Sequence, residues 1–302
     1  MDLKRYQGHD MFLDDLPEVV RRAWRASIHR TMTFYGEETV DGQMSHDRFR
    51  LCDETADYLY SEHTPLENRY ERGTRPELEQ HVARILDGVT GERERVLAVL
   101  RFVRDLHRLR PGAGTKGAAD PFHGGTEEEV IKKGSNMCNE QARVFCALCQ
   151  VAGIPARYLG HSVGGHGVNE IYLEGGWAYF DNRGKYFVKD DGTLAGAWDL
   201  IRDPGIIDRQ PPEVTAELRE GCDYQGTRRY HAPVEITCVT NYFIWERDRY
   251  GFGWIWNTPE LQQRVMEVRK EFPKELSGDN VLAMLSGEKS WPKGIDNTRR
   301  RQ

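Results

Sequence analysis

The spacing of apolar residues divides the chain into a helical first half and a strand-rich second half. Residues 11–32, "MFLDDLPEVVRRAWRASIHRTM", carry apolar positions at helical spacing, and "HDRFRLCDETADYLYSE" (46–62) sets Phe49, Cys52, Ala56 and Leu59 on one helical face. A polar stretch leads to a clearer pair, "PELEQHVARILDGV" (76–89) and "ERERVLAVLRFVRDLHRL" (92–109), divided by Thr90-Gly91 and stopped by Pro111-Gly112. After a Gly/Ala-rich loop (111–125), Thr126 is placed to cap a short helix, "EEEVIKK", that ends at Gly134.

From 156 onward the pattern is that of strands. "ARYLGHSV", "GVNEIYLE", "GWAYFDN" and "GKYFVKDD" are aromatic or β-branched runs punctuated by glycine. "HAPVEITCVTNYFIWERD" (231–248) predicts at least one more long strand, and "TPELQQRVMEVRKEF" returns to helix. Helices followed by a Gly-punctuated antiparallel meander predict an α+β fold.

Composition narrows the function classes. A chain of 302 residues can bury a substantial core, and its net charge of −6 offers no electrostatic reason to expect a nucleic-acid partner. No run approaches the ~20 apolar residues of a membrane span, and the first residues hold no apolar stretch long enough for a secretory signal. The expectation is a cytoplasmic protein without a membrane partner, in which Cys52, Cys138, Cys146, Cys149, Cys222 and Cys238 are mostly free thiols.

Three of those cysteines crowd into "GSNMCNEQARVFCALC" (134–149). Taken as a helix over 137–152, this segment is apolar nearly all round, so it buries its middle and exposes only its ends. Cys138 opens the helix, where unpaired N–H groups favour a thiolate. Cys149 lies ~16 Å further along the axis and cannot act with it. Cys146 and Cys149 read as small buried hydrophobes. Cys146-Ala-Leu-Cys149 is formally CxxC, but no second ligand pair accompanies it and it sits mid-helix, which argues against both a zinc site and a redox site. No metal and no cofactor is expected.

A nucleophilic thiol needs a histidine to move its proton and a group to orient the imidazole. His161, His166 and His231 stand in strand context, and His166 has the best surroundings, after Gly164-Gly165 and opening "HGVNEIYLEGGWAYFD". A hairpin turn centred on Gly175-Gly176 pairs Glu170 with Asp181 and puts both on the face of His166. That register leaves ~10 Å between His166 and Asp181, a gap that a bulge or strong twist has to close. Glu170 is a rival orienter. Gly153-Ile-Pro-Ala-Arg157 and Trp177 read as structural, with Gly153 ending the helix and Trp177 packing the hairpin.

In this order and spacing, "GSNMCNEQARVFCALCQVAGIPARYLGH" and "HGVNEIYLEGGWAYFDN" resemble the core signature of the transglutaminase-like superfamily, over roughly residues 76–190. The resemblance implies a papain/transglutaminase-like core at 76–200, with the Cys-bearing helix packed on an antiparallel sheet. A helical extension at 1–75 and a mixed one at 201–302, which completes the sheet and ends in helix, flank it. It implies papain-like thiol chemistry with Cys138 as nucleophile, His166 as general base and acid and Asp181 as orienter. Asn136 and His123 are candidates for an oxyanion-hole side chain. Family members commonly carry Trp where this chain has Val168, and Asp-Pro where it has Asp181-Asn182. The implied activity is acyl transfer on a peptide or protein amide. Water as acceptor makes a protease or amidase, the favoured outcome; an amine makes a transglutaminase; a scaffold that only binds is the non-catalytic alternative.

Overall fold

In the computed structural model the described residues are 3–8, 11, 16–18, 20–22, 40–109, 124–161, 166–214, 237–249, 284, 290 and 293. Their main elements are α1 (Val40–Asp47), β1 (Phe49–Arg50), α2 (Ala56–Ser61), α3 (Pro76–Ile85), α4 (Glu92–Asp105), α5 (Glu127–Lys133) and α6 (Cys138–Val151). They continue with β2 (Ala156–His161), β3 (His166–Leu173), β4 (Gly176–Asp181), β5 (Lys185–Tyr186), α7 (Ala197–Arg202) and β6 (Thr237–Thr240).

Local chemistry places the helices. Pro76 opens α3 at a position where its missing N–H costs nothing, and Gly91, at φ +88°, separates α3 from α4. Thr126 and Glu129 form the capping box of α5: the Glu129 amide donates to Thr126 Oγ1 at 3.3 Å and the Thr126 amide to Glu129 Oε2 at 2.8 Å. Gly153, at φ +83°, ends α6 as its amide and that of Ile154 return to the Gln150 and Cys149 carbonyls.

The strands form one antiparallel sheet in the order β1-β6-β2-β3-β4-β5. With α3 to α6 it makes a mixed helix-plus-antiparallel-sheet, α+β architecture. Helix α6 lies between the sheet and α3, α4 and α5, and every residue from Glu140 to Gln150 is buried. It meets β3 and β4 directly: Phe145 packs edge-on to Phe180, and Asn169 Nδ2 donates to the Ala142 backbone carbonyl at 3.0 Å.

Three expectations are corrected. Residues 46–62 are not one helix but the end of α1, then strand, turn and helix. Phe49 and Arg50 pair with Val239 and Cys238, because the β6 edge offers backbone partners that a helix would forgo. Thr55 then turns the chain, its hydroxyl donating to the Arg50 carbonyl at 2.5 Å and accepting from the Cys52 amide at 3.1 Å. The long strand at 231–248 is, where described, the four residues of β6 followed by a 3-10 turn at Ile244–Arg249.

The third correction is the β3–β4 register. The turn residues are Glu174 and Gly175, at φ 53° and 82°, so Leu173 pairs with Gly176 and Glu170 with Tyr179. Positive φ at both centres suits the twist of a two-residue hairpin. Arg93 anchors Glu174 there with a hydrogen bond of 2.7 Å from Nε. The expected pairing was off by two, an even number, so each side chain keeps its face. The helices expected over 11–32 and 258–272 fall largely outside the described residues. So do the glycine-rich loop over most of 111–125, with His123, and also Cys222 and His231.

Candidate functional site

Cys138 is the first residue of α6 and half-buried. Met137, the residue before it, offers no side-chain cap, so the first-turn amides are not consumed by one. The segment that feeds the helix is held by Ser135, whose Oγ accepts from the Met137 amide at 3.0 Å and donates to Glu140. Lys133 Nζ pairs with Glu140 Oε1 at 3.2 Å.

The helix start can approach β3 because residue 167 is glycine. A Cβ there would stand 2.0 Å from the Tyr158 hydroxyl and 3.3 Å from Asn139 Cα, in the backbone of α6. Asn182 ties the same two elements: its Nδ2 donates to the Cys138 carbonyl at 2.6 Å and to the Gly167 carbonyl at 3.1 Å. A proline at 182 could supply neither bond, so the departure from Asp-Pro carries its own joint.

His166 is buried at the start of β3, with its Nε2 3.1 Å from Asp181 Oδ2. The ~10 Å gap narrows through the register: with Asn169 opposite Phe180, the same pairing carries Asp181 to within two residues of the position facing His166, and the two side chains span the rest. The Cys138 thiol and the His166 ring lie close enough that each shifts the pKa of the other. The three residues singled out in the sequence are thus brought together. Glu170 is elsewhere. It is fully buried and its Oε2 accepts from Arg157 Nε at 2.9 Å and Nη2 at 2.6 Å, while Oε1 accepts from the Tyr60 hydroxyl at 2.5 Å and the Ala197 amide at 2.7 Å. Trp177 lies against the Arg157 guanidinium, 4.1 Å from ring centre to Cζ, so both are structural.

Electrostatics separates the cysteines. Burial opposes a Cys138 thiolate, but the hydrogen bond and charge of His166, the Gly167 amide and the Arg183 charge outweigh it and bring the thiol below its ordinary range. Burial likewise opposes the His166 cation, and the Asp181 carboxylate overcomes it, with help from Cys138, pushing its pKa up to about 9. Burial pushes Cys146 and Cys149 well above the ordinary thiol range. His161 stacks on His166 at 6.1 Å and is driven down to about 3 by burial and the His166 charge, so it stays neutral.

Pattern reading missed Lys185, Asn182 and Arg183. Lys185 is buried opposite Asp181, with Nζ 3.7 Å from Oδ2. The Asp-Asn-Arg-Gly-Lys run held these residues in view, but only the β4–β5 pairing folds them against Asp181 and the start of α6. Asn136 faces Arg183, as described below.

Helix start, imidazole and buried carboxylate on one α+β frame define a protein with a thiol–imidazole pair at the head of a central helix. Residues 79–182 match the family model described as the transglutaminase-like superfamily, so this segment is a transglutaminase-like domain, of a superfamily whose members are commonly enzymes. No curated protein and no solved structure matched the chain. Among the described residues no group of three or more His, Cys, Asp or Glu could hold a metal ion, and no helix is long and apolar enough to cross a membrane.

Proposed function

We propose that the protein is a thiol-dependent acyl-transfer enzyme that acts on peptide or protein amides by papain-like chemistry, with water as acceptor. The observation that carries this is His166 held between Cys138 and Asp181, its pKa raised while that of the thiol is lowered. The Cys138 thiolate attacks the amide carbon, and the carbonyl electrons move to an oxyanion beside the N-terminal end of α6. His166, protonated, gives its proton to the nitrogen as the C–N bond breaks, leaving a thioester and a free amine. The now neutral imidazole takes a proton from water, the hydroxide attacks the thioester, and a carboxylic acid leaves as the C–S bond breaks and the thiolate–imidazolium pair is restored. Asp181 accepts from His166 throughout and keeps the ring oriented.

The test is a peptide library incubated with and without a primary amine and scored for both cleavage and amine incorporation. Cleavage that vanishes in Cys138→Ala is the expected result. Amine incorporation in place of cleavage would make the enzyme a transglutaminase. Turnover that persists in Cys138→Ala would overturn the mechanism.

A further inference from the structure

Between Asp181 and Lys185, which pair across β4 and β5, the chain turns through Asn182, Arg183 and Gly184. Asp181 itself fixes this turn: its Oδ1 accepts from the Arg183 amide at 2.9 Å and its carbonyl from the Gly184 amide at 2.9 Å. Gly184 takes φ +88°, a conformation that costs glycine nothing. The Arg183 side chain then reaches back to the segment leading into α6. Nη1 donates to Asn136 Oδ1 at 3.3 Å and Nη2 to the Asn136 carbonyl at 3.1 Å.

Both partners are neutral. The other cations around the thiol face a carboxylate: His166 and Lys185 meet Asp181, and Lys133 meets Glu140. No carboxylate pairs with Arg183 among the described residues, and its side chain is only half-buried. A guanidinium fixed beside a nucleophile, open on one side and short of an anion, is suited to a planar carboxylate.

We propose that Arg183 is a specificity-determining residue that receives a carboxylate of the substrate next to the scissile amide. This rests on the acyl-transfer reading of Cys138. The carboxylate comes from an acidic side chain or from a chain terminus; the chemistry at Arg183 is the same. That the Arg183 charge also reaches the Cys138 sulfur agrees with the placement.

Two alkylating reagents test this without a known substrate. Iodoacetate and iodoacetamide attack the same thiolate, so their rate ratio at one pH cancels the thiolate fraction and reports the charge met by the reagent. In Arg183→Gln the iodoacetate-to-iodoacetamide ratio at Cys138 is expected to fall about fivefold or more, the effect of a unit charge across about 4 Å in water. Arg183→Lys should keep most of the wild-type ratio, and added salt should erode it. Peptide pairs then separate the sources, Glu against Gln beside the scissile bond and a free against an amidated terminus. An unchanged ratio in Arg183→Gln, with Cys138 still fast, overturns this inference and leaves the acyl-transfer reading standing. If wild-type Cys138 reacts with iodoacetamide no faster than Cys52, the acyl-transfer reading fails and this inference fails with it.

Discussion

At the residue scale the account turns on two protons. Acyl transfer needs the Cys138 thiol without its proton and His166 with one. Activity should therefore rise as pH passes the lowered thiol pKa and fall as pH passes about 9, where His166 loses the proton it gives to the leaving amine. Removing the carboxylate in Asp181→Asn takes away the largest charge that holds His166 up, so the falling limb should move toward or below the ordinary histidine value of 6.5. A pH–rate profile of both proteins checks this, and a limb that stays near 9 in the variant would exclude Asp181 as the source. Asn182 makes a second residue-scale prediction. Asn182→Ala frees the Cys138 and Gly167 carbonyls from each other. A shift of about 1 Å between nucleophile and imidazole is enough to cost about 100-fold in turnover, which single-turnover kinetics would read.

At the element scale, the start of α6 meets β3 at a glycine. In Gly167→Ala the new methyl would run into the Tyr158 ring and crowd the backbone of α6. The expected cost is about 1–3 kcal/mol of stability, measured by urea unfolding, together with a drop in the Cys138 alkylation rate. Helices of this kind were legible in the sequence where local chemistry decides: Thr126 announces α5, and Gly153 closes α6. The 46–62 segment was misread because its apolar spacing fits a helix, whereas the deciding interaction is with β6, nearly two hundred positions away. The hairpin register was missed because Gly175-Gly176 offers the obvious turn, and nothing local shows that Arg93 holds Glu174 at positive φ instead.

At the scale of the whole molecule, the sheet joins strands far apart in the chain, with β6 between β1 and β2. The sheet face that carries His166 is locked by a buried ion pair, Arg157 with Glu170, which also engages the Leu59 carbonyl, Tyr60 and Ala197. Arg157→Met strands the Glu170 charge and should cost about 3–5 kcal/mol, seen as a shift in the denaturation midpoint, while Cys138 in the folded fraction stays reactive. Cys138 and His166 were visible as residue types in a pattern; the roles of Asn182 and Arg183 beside them come from the β4–β5 turn and were not. That environment gives the account its most direct test, the pH dependence of iodoacetamide alkylation of Cys138 against Cys52, whose thiol is pushed up by burial. The account predicts that Cys138 reacts at a lower pH than Cys52 and loses that lead in His166→Ala. A Cys138 that titrates with Cys52, or keeps its lead without His166, would contradict it.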